Sequence, residues 1–248
     1  MTQQELADRV GVSGAYISMI EGGRRAVTKR SLIISLASAL GVRVEDLTAQ
    51  PHQPRDRAEL AAYSAAPAIR RALDEDHDGP LPDLVQVTRR AEAVTPARMA
   101  CDYTTLSALL PSLVADGRKL AAEPATERVG LAILVRAAFA GATGLKSLGH
   151  VDLSMRLAER AQAAAQHLGA TEQAAAAFAV AQVALTGGSQ RRSLTIAAAA
   201  ADDLGDTATG DDASWYGLLR LHAAISAASL GQGDAAADHY AEAVATLP

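Results

Sequence analysis

A chain of 248 residues with 23 Lys/Arg, 28 Asp/Glu, a net charge of −5 and one cysteine excludes a generic polycation, a disulfide-framed module and a thiolate metal cluster. Apolar residues make up 49% but aromatics only 3%, and alanine supplies much of the apolar share, which favours helices packed through small side chains. The first twenty residues hold Glu5, Asp8 and Arg9 and no apolar run, so no secretory signal is read and a cytoplasmic protein is expected.

Thr2 and Glu5 form a T-x-x-E capping box ahead of Leu6, Ala7 and Val10 at helical spacing. Gly11 ends that helix. Ser13 caps a second, carrying Tyr16, Ile17 and Ile20 up to Gly22-Gly23. A third helix is expected from about Thr28 through Leu32, Leu36 and Leu40 to Gly41, then a short turn, VEDL, at 44–47. Residues 1–50 carry six Lys/Arg against five Asp/Glu, so a slightly basic head precedes an acidic body.

AQPHQPRDR (49–57) reads as a linker. Beyond it the pattern is all-α. Helices are expected near 56–73, 81–94, 97–122, 125–148, 151–168, 170–186, 189–204, 213–230 and 233–247, with no strand. The uncharged stretch Gln173 to Gln190 is the best membrane candidate, but a buried soluble helix fits it better and no membrane is expected. SLGHVDLSMRLAERA (147–161) and SLGQGDAAADHYAEAVATLP (229–248) share a glycine turn, an acidic residue and small residues at set offsets. Aligning Gly149 with Gly231 pairs Ala158 with Tyr240 and Ala161 with Ala243. A weaker copy uses Gly188, Ala197 and Ala200. Small residues in those slots let the helices of a hairpin approach closely and let hairpins stack.

TQQELA, GVS, ISMIEGGRR and LASALGV together resemble the helix-turn-helix of the xenobiotic-response-element (XRE) family, related to phage repressors. The body resembles tetratricopeptide repeats. With YTTLSALLPSLVADGRKLA (103–121), the chain is similar to actinobacterial regulators that join such a head to a helical-repeat body. The implied fold is an all-α chain, a phage-repressor-like head followed by an α-solenoid of helical hairpins. Its expected parts are residues 1–48 (head), 49–95 (linker and connecting helices) and 96–248 (repeats). The family pattern also has a helix ahead of TQQELA, where this sequence has only Met1. Leu6, Val10, Ile17, Ile20 and Leu36 are therefore expected to lack one packing partner, and the repeat that ends at Pro248 is read without the capping helix such an array uses. A fragment of a longer gene product, a head packed on the body or on a second subunit and a head that no longer binds are all compatible with this.

By the family pattern the second helix lies in the major groove, with Gly14, Ala15, Ser18 and Met19 toward base edges. None of these makes the bidentate bonds of Arg, Asn or Gln; Ala15 and Met19 suit thymine methyl groups. Gln3, Tyr16, Arg24, Arg25, Lys29 and Arg30 are the expected phosphate contacts; the alternative for the four basic residues is a solvated turn. In the repeat body, one face of each first helix lines a groove: Arg136, Phe139, Thr143 and Lys146, then Phe178, Gln182 and Thr186, then Leu218, Leu221 and Ile225. This gives an apolar groove with a cationic end, suited to a small amphipathic or anionic ligand or a peptide. The competing reading makes both phenylalanines ordinary inter-repeat core. Peptide-sensing relatives grip peptide backbone with asparagine, which this chain lacks. Trp215 and Tyr216, after the loop 205–214, read as core capping or as a lid.

DEDHDG (74–79) matches half of a calcium loop, but its twelfth position is Val85. GATGLKS (141–147) has Leu145 where a phosphate loop needs glycine. The histidines show no metal spacing, and Cys101 beside Asp102 reads as a buried small residue rather than a nucleophile. No catalytic set, cofactor or metal is expected. The leading expectation is a regulator that binds a double-stranded DNA operator as a homodimer and senses a ligand through its body. The alternative is a protein-interaction scaffold with a vestigial head.

Overall fold

The computed structural model describes residues 2–27, 29–40, 42, 47, 56–75, 79–205 and 209–246. The chain divides into two compact units, Met1–Gln53 and Pro54–Pro248. Among the described residues all regular structure is helical. Most of the VEDL turn, the centre of DEDHDG and most of the 49–57 linker lie outside them.

The described residues of the first unit form three helices: α1 (Gln3–Val10), α2 (Gly14–Glu21) and α3 (Arg30–Leu40). The capping box is formed. Thr2 Oγ1 accepts from the Glu5 N–H at 3.2 Å, and Glu5 Oε2 accepts from the Thr2 N–H at 2.7 Å. That second bond holds the Glu5 carboxyl below its usual range. Gly11 ends α1 in the left-handed region at φ 73°, its N–H returned to the Ala7 carbonyl. Leu6, Ala7, Ile17 and Leu36 form the core, with Val10, Val12, Val27, Leu32 and Ala39 packed against it. Leu6, Ile17 and Leu36, expected to lack a partner, are therefore buried, while Val10 and Ile20 stay partly exposed.

The second unit comprises α4 (Arg57–Asp74), α5 (Leu84–Glu92), α6 (Val94–Met99), α7 (Tyr103–Ala122), α8 (Glu127–Leu145) with a 3-10 turn at Lys146–Leu148, α9 (Val151–Ala165), α10 (Ala170–Thr186), α11 (Gln190–Leu204), α12 (Asp211–Ser229) and α13 (Gly233–Ala245). From α7 onward each helix packs on its neighbour in the chain, and α10 also packs on both α8 and α12. This is the layering of a solenoid of hairpins. Ile69, Leu73, Val87 and Val94 of α4–α6 belong to the same core as Leu110, Leu113, Leu153 and Leu157.

The small-residue slots work as expected at Ala158, Ala161, Ala197 and Ala243, all buried. Tyr240, which aligns with Ala158, is 57% exposed. Closest approach falls at Gly130 of α8, where a Cβ would collide with the backbone of Leu120 and Ala121. Arg220 ties three helices: its guanidinium lies 2.7 Å from Asp202 Oδ1 and 2.6 Å from Glu242 Oε2, with its Cζ 5.0 Å from the Tyr216 ring centre.

Three expectations are corrected. The single helix at 97–122 is two, because Cys101 takes φ 54° and Asp102 starts a new helix by accepting from the Thr105 N–H (3.0 Å) and hydroxyl (2.6 Å). That turn leaves Cys101 exposed rather than buried. Among the described residues the segment long and apolar enough to cross a membrane is Glu127–Leu148, not the 173–190 stretch, and 61% of its apolar window is buried inside the fold.

Candidate nucleic-acid interface and ligand groove

The head presents α2 by its N-terminal end. Ser13 accepts the Tyr16 N–H at 3.2 Å, which leaves Ala15 and Ser18 exposed and Gly14, Tyr16 and Met19 half-exposed. The backbone N–H groups of Arg24 and Arg25 both return to the Met19 carbonyl, at 2.8 and 3.1 Å, so the turn after α2 is fixed and both arginines project from it, exposed. Arg25 lies over the Tyr16 ring at 4.9 Å, a stacking that keeps the guanidinium edge free for hydrogen bonding. Lys29 is exposed. The Arg30 side chain and Thr28 lie outside what the structure describes.

Two glutamines add what the sequence did not show. Gln3, an expected phosphate contact, donates to Glu21 Oε2 at 2.6 Å. Gln4 donates to Asp8 at 2.9 Å, and its Oε1 comes so near Gly14 that a Cβ there would lie 2.5 Å from it. An amide, the group that reads adenine, thus stands at the start of α2 although α2 itself has none. Sequence reading missed Gln4 because the signal is the absent side chain at Gly14, which is only visible once α1 and α2 are placed together.

In the body, the two phenylalanines meet through Trp215. The Trp215 ring is 5.7 Å from Phe139 (88°) and 5.7 Å from Phe178 (64°), and Phe178 is 5.5 Å from His222 (67°). All are edge-to-face contacts. Phe139 packs against the main core and Phe178 and Trp215 against the smaller one, each partly buried. The rings therefore pack as inter-repeat core, each keeping a partly exposed edge. Leu218, Leu221 and Ile225 are 43%, 40% and 50% exposed; at 100° per residue Leu218 and Ile225 flank Trp215 and His222 on α12, and Leu221 lies further round. Tyr216 is buried.

The expected cationic end is not one end. Arg136 and Lys146 are separated by about 15 Å along α8 and the 3-10 turn that follows it. Arg98 of α6, unforeseen, lies over Phe139 at 5.2 Å. Thr143 and Thr186 spend their hydroxyl protons on their own helices, at Phe139 O (2.9 Å) and Gln182 O (3.0 Å), and are poor donors to a ligand. His222 is buried, with Nε2 3.0 Å from Ser193 Oγ, itself bonded to the Ala181 carbonyl at 2.8 Å. No cluster that could hold a metal occurs among the described residues.

Residues 1–50 match the family model of a helix-turn-helix domain. Among solved structures, Bacillus thuringiensis PlcR in complex with the peptide PapR7 and DNA is similar at 13% identity, over 99% of this chain and 89% of that one, with a TM-score of 0.39. That score is too low for the likeness to bear on function. None of the curated proteins matches. The matched range contains α1, α2 and α3; Gly14, Ala15, Ser18 and Met19 lie on α2, and Arg24 and Arg25 follow its end.

Proposed function

We propose that the chain is a cytoplasmic transcription regulator of the XRE type. Its helix-turn-helix docks on double-stranded operator DNA as part of a homodimer, and its tetratricopeptide-like body senses a small-molecule or peptide ligand. The observation that carries the reading is α2. It is capped by Ser13, its N-terminal half is uncovered within the head, and Arg24 and Arg25 project from the turn behind it. This is the arrangement that lays a helix in the major groove while basic residues hold phosphates. Base reading by Ala15 and Met19 is limited to methyl contact, so Gln4, DNA shape and half-site spacing supply most of the discrimination. For a ligand to act, it must prefer one arrangement of the two heads.

The test is fluorescence anisotropy of labelled duplex from the gene's own upstream region, at low and near-physiological salt. Specific binding that falls steeply with salt is expected. Absence of affinity for any duplex at either salt, alongside a stable protein partner in pull-downs, overturns the reading in favour of the scaffold with a vestigial head.

A further inference from the structure

A cleft of about 380 Å³ opens between α9 and α11, over the first half of α10. Its volume falls in the range of small-molecule sites. Ala174, Ala177, Ala199 and Ala200 line it, and longer side chains there would close it. Ile196 and Leu204 add the larger apolar surface. The cleft shares no residue with the groove read from the sequence, whose members on α10 are Phe178, Gln182 and Thr186.

The polar groups of the cleft favour a cation. Gln162, Gln166, Gln173 and Asp203 bring amide and carboxylate oxygens to it, and no basic side chain lines it. The Gln173 amide donates to the Leu168 carbonyl at 3.2 Å, which leaves its oxygen as an acceptor. Among the described residues, Gln162, Gln166 and Asp203 have no partner within the chain. Asp203 is the unusual member. It lies in the last turn of α11, where the helix dipole disfavours an acid. Its neighbour Asp202 is placed there too, but Arg220 meets it at 2.7 Å; Asp203 has no such counter-charge. α9 also ends at the cleft, at Gln162 and Gln166, so two helix C-termini add partial negative charge there. The opposing N-terminus of α10 carries Glu172 in its first turn.

We propose that this cleft binds a small organic cation, a primary alkylammonium or guanidinium, its charge met by Asp203 and the amide oxygens of Gln162 and Gln166 and its apolar part laid on Ala177, Ile196 and Leu204. The inference deepens the ligand-sensing reading and rests on it. The cleft is shared by helices of two successive hairpins, α9 of one and α10 and α11 of the next. A ligand that fills it ties the two together and raises the stability of the second unit.

Full-length protein is titrated by calorimetry with cyclohexylmethylammonium, cyclohexylmethanol and cyclohexanecarboxylate, which share one ring and differ in charge. Saturable binding is expected with the ammonium, weaker with the alcohol and absent with the carboxylate. Asp203→Asn is expected to weaken the ammonium about three- to fivefold at low salt, the worth of one exposed ion pair, and to leave the alcohol unchanged. The same change removes an acid from a helix C-terminus, so the urea midpoint is expected to hold or rise. Ala200→Leu fills the cleft and is expected to abolish binding of both probes with unchanged helix content. Failure of the ammonium to bind, equal binding of all three probes, or an Asp203→Asn protein that binds the ammonium as the parent does overturns the proposal. A protein that binds its operator but ignores the ammonium defeats this inference alone; one that binds the ammonium through Asp203 but no DNA defeats the operator reading alone.

Discussion

The Gln3 amide donates to the Glu21 carboxylate across 2.6 Å, joining the first residue of α1 to the last of α2. A phosphate oxygen that reaches Gln3 must displace that carboxylate and is repelled by it. Glu21→Gln keeps a neutral partner and removes the charge. Operator affinity is expected to rise roughly threefold at low salt, the size of one screened charge–charge term, and the gain is expected to shrink as salt rises. Anisotropy across a salt series measures both. An unchanged affinity would place Gln3 away from the DNA backbone.

Gly14→Glu puts a carboxylate where α2 enters the groove. The fold tolerates it: the new Cβ meets only the end of the Gln4 side chain, which can swing away, and a helix N-terminus favours an acid. Operator binding is expected to fall at least about a hundredfold, through lost contacts and repulsion from phosphate, with unchanged helix content and urea midpoint for the body by circular dichroism. Gln4→Ala is the milder companion, expected to lower the preference for operator over random duplex about tenfold, the worth of one base-edge contact. Retained operator binding by Gly14→Glu would show that α2 docks another way.

Arg24 and Arg25 project from one turn pinned to the Met19 carbonyl. If each meets a phosphate, Arg24→Gln and Arg25→Gln each reduce the slope of log affinity against log salt by about 0.9. The loss is expected to be equal for operator and random duplex, since phosphate contacts carry no sequence information. A loss confined to the operator would instead assign the arginine to a base.

Much of this was legible in the sequence because it is local. The capping box at Thr2 and Glu5, the Ser13 cap and the glycine turns are set by residues a few positions apart, and each forms as expected. What failed depended on contacts between elements or on a single backbone angle. Nothing in the periodicity of 97–122 marks the positive φ at Cys101. The placement of Trp215 between Phe139 and Phe178 needs three helices stacked in register. Arg136 and Lys146 read as one charged end because the alignment gives both the same helix face, whereas they stand about 15 Å apart along the chain of α8 and its 3-10 turn.

Gly130 is where α8 comes closest to α7. Its missing Cβ is occupied by backbone of Leu120 and Ala121, which cannot rotate away as a side chain can. Gly130→Ala gains helix propensity of about 1 kcal/mol but forces the two helices apart, at a cost of about 1–3 kcal/mol. A net loss is expected, read as a lower urea midpoint for the second unit. Stabilisation would mean that the hairpin relaxes freely at this point.

His222 makes the stability of the body sensitive to pH. Burial pushes its pKa below the ordinary histidine value of 6.5; the Ala181 carbonyl opposes the shift and the Lys146 charge adds to it. The side chain is therefore neutral in the fold at pH 7, with Nε2 in position to donate to Ser193 while the Ser193 hydroxyl donates to Ala181. As pH falls below about 6.5 the unfolded chain takes up a proton that the folded chain resists. The unfolded state then binds more protons, so stability drops with falling pH until the depressed folded value is passed, and levels off below it. Urea midpoints measured from pH 7.5 down to 5 are expected to fall over that window. In His222→Gln, whose amide can still donate to Ser193 but does not titrate, this part of the decline is expected to disappear. An equally steep decline in the variant would assign the pH dependence to other groups and leave His222 without a role in it.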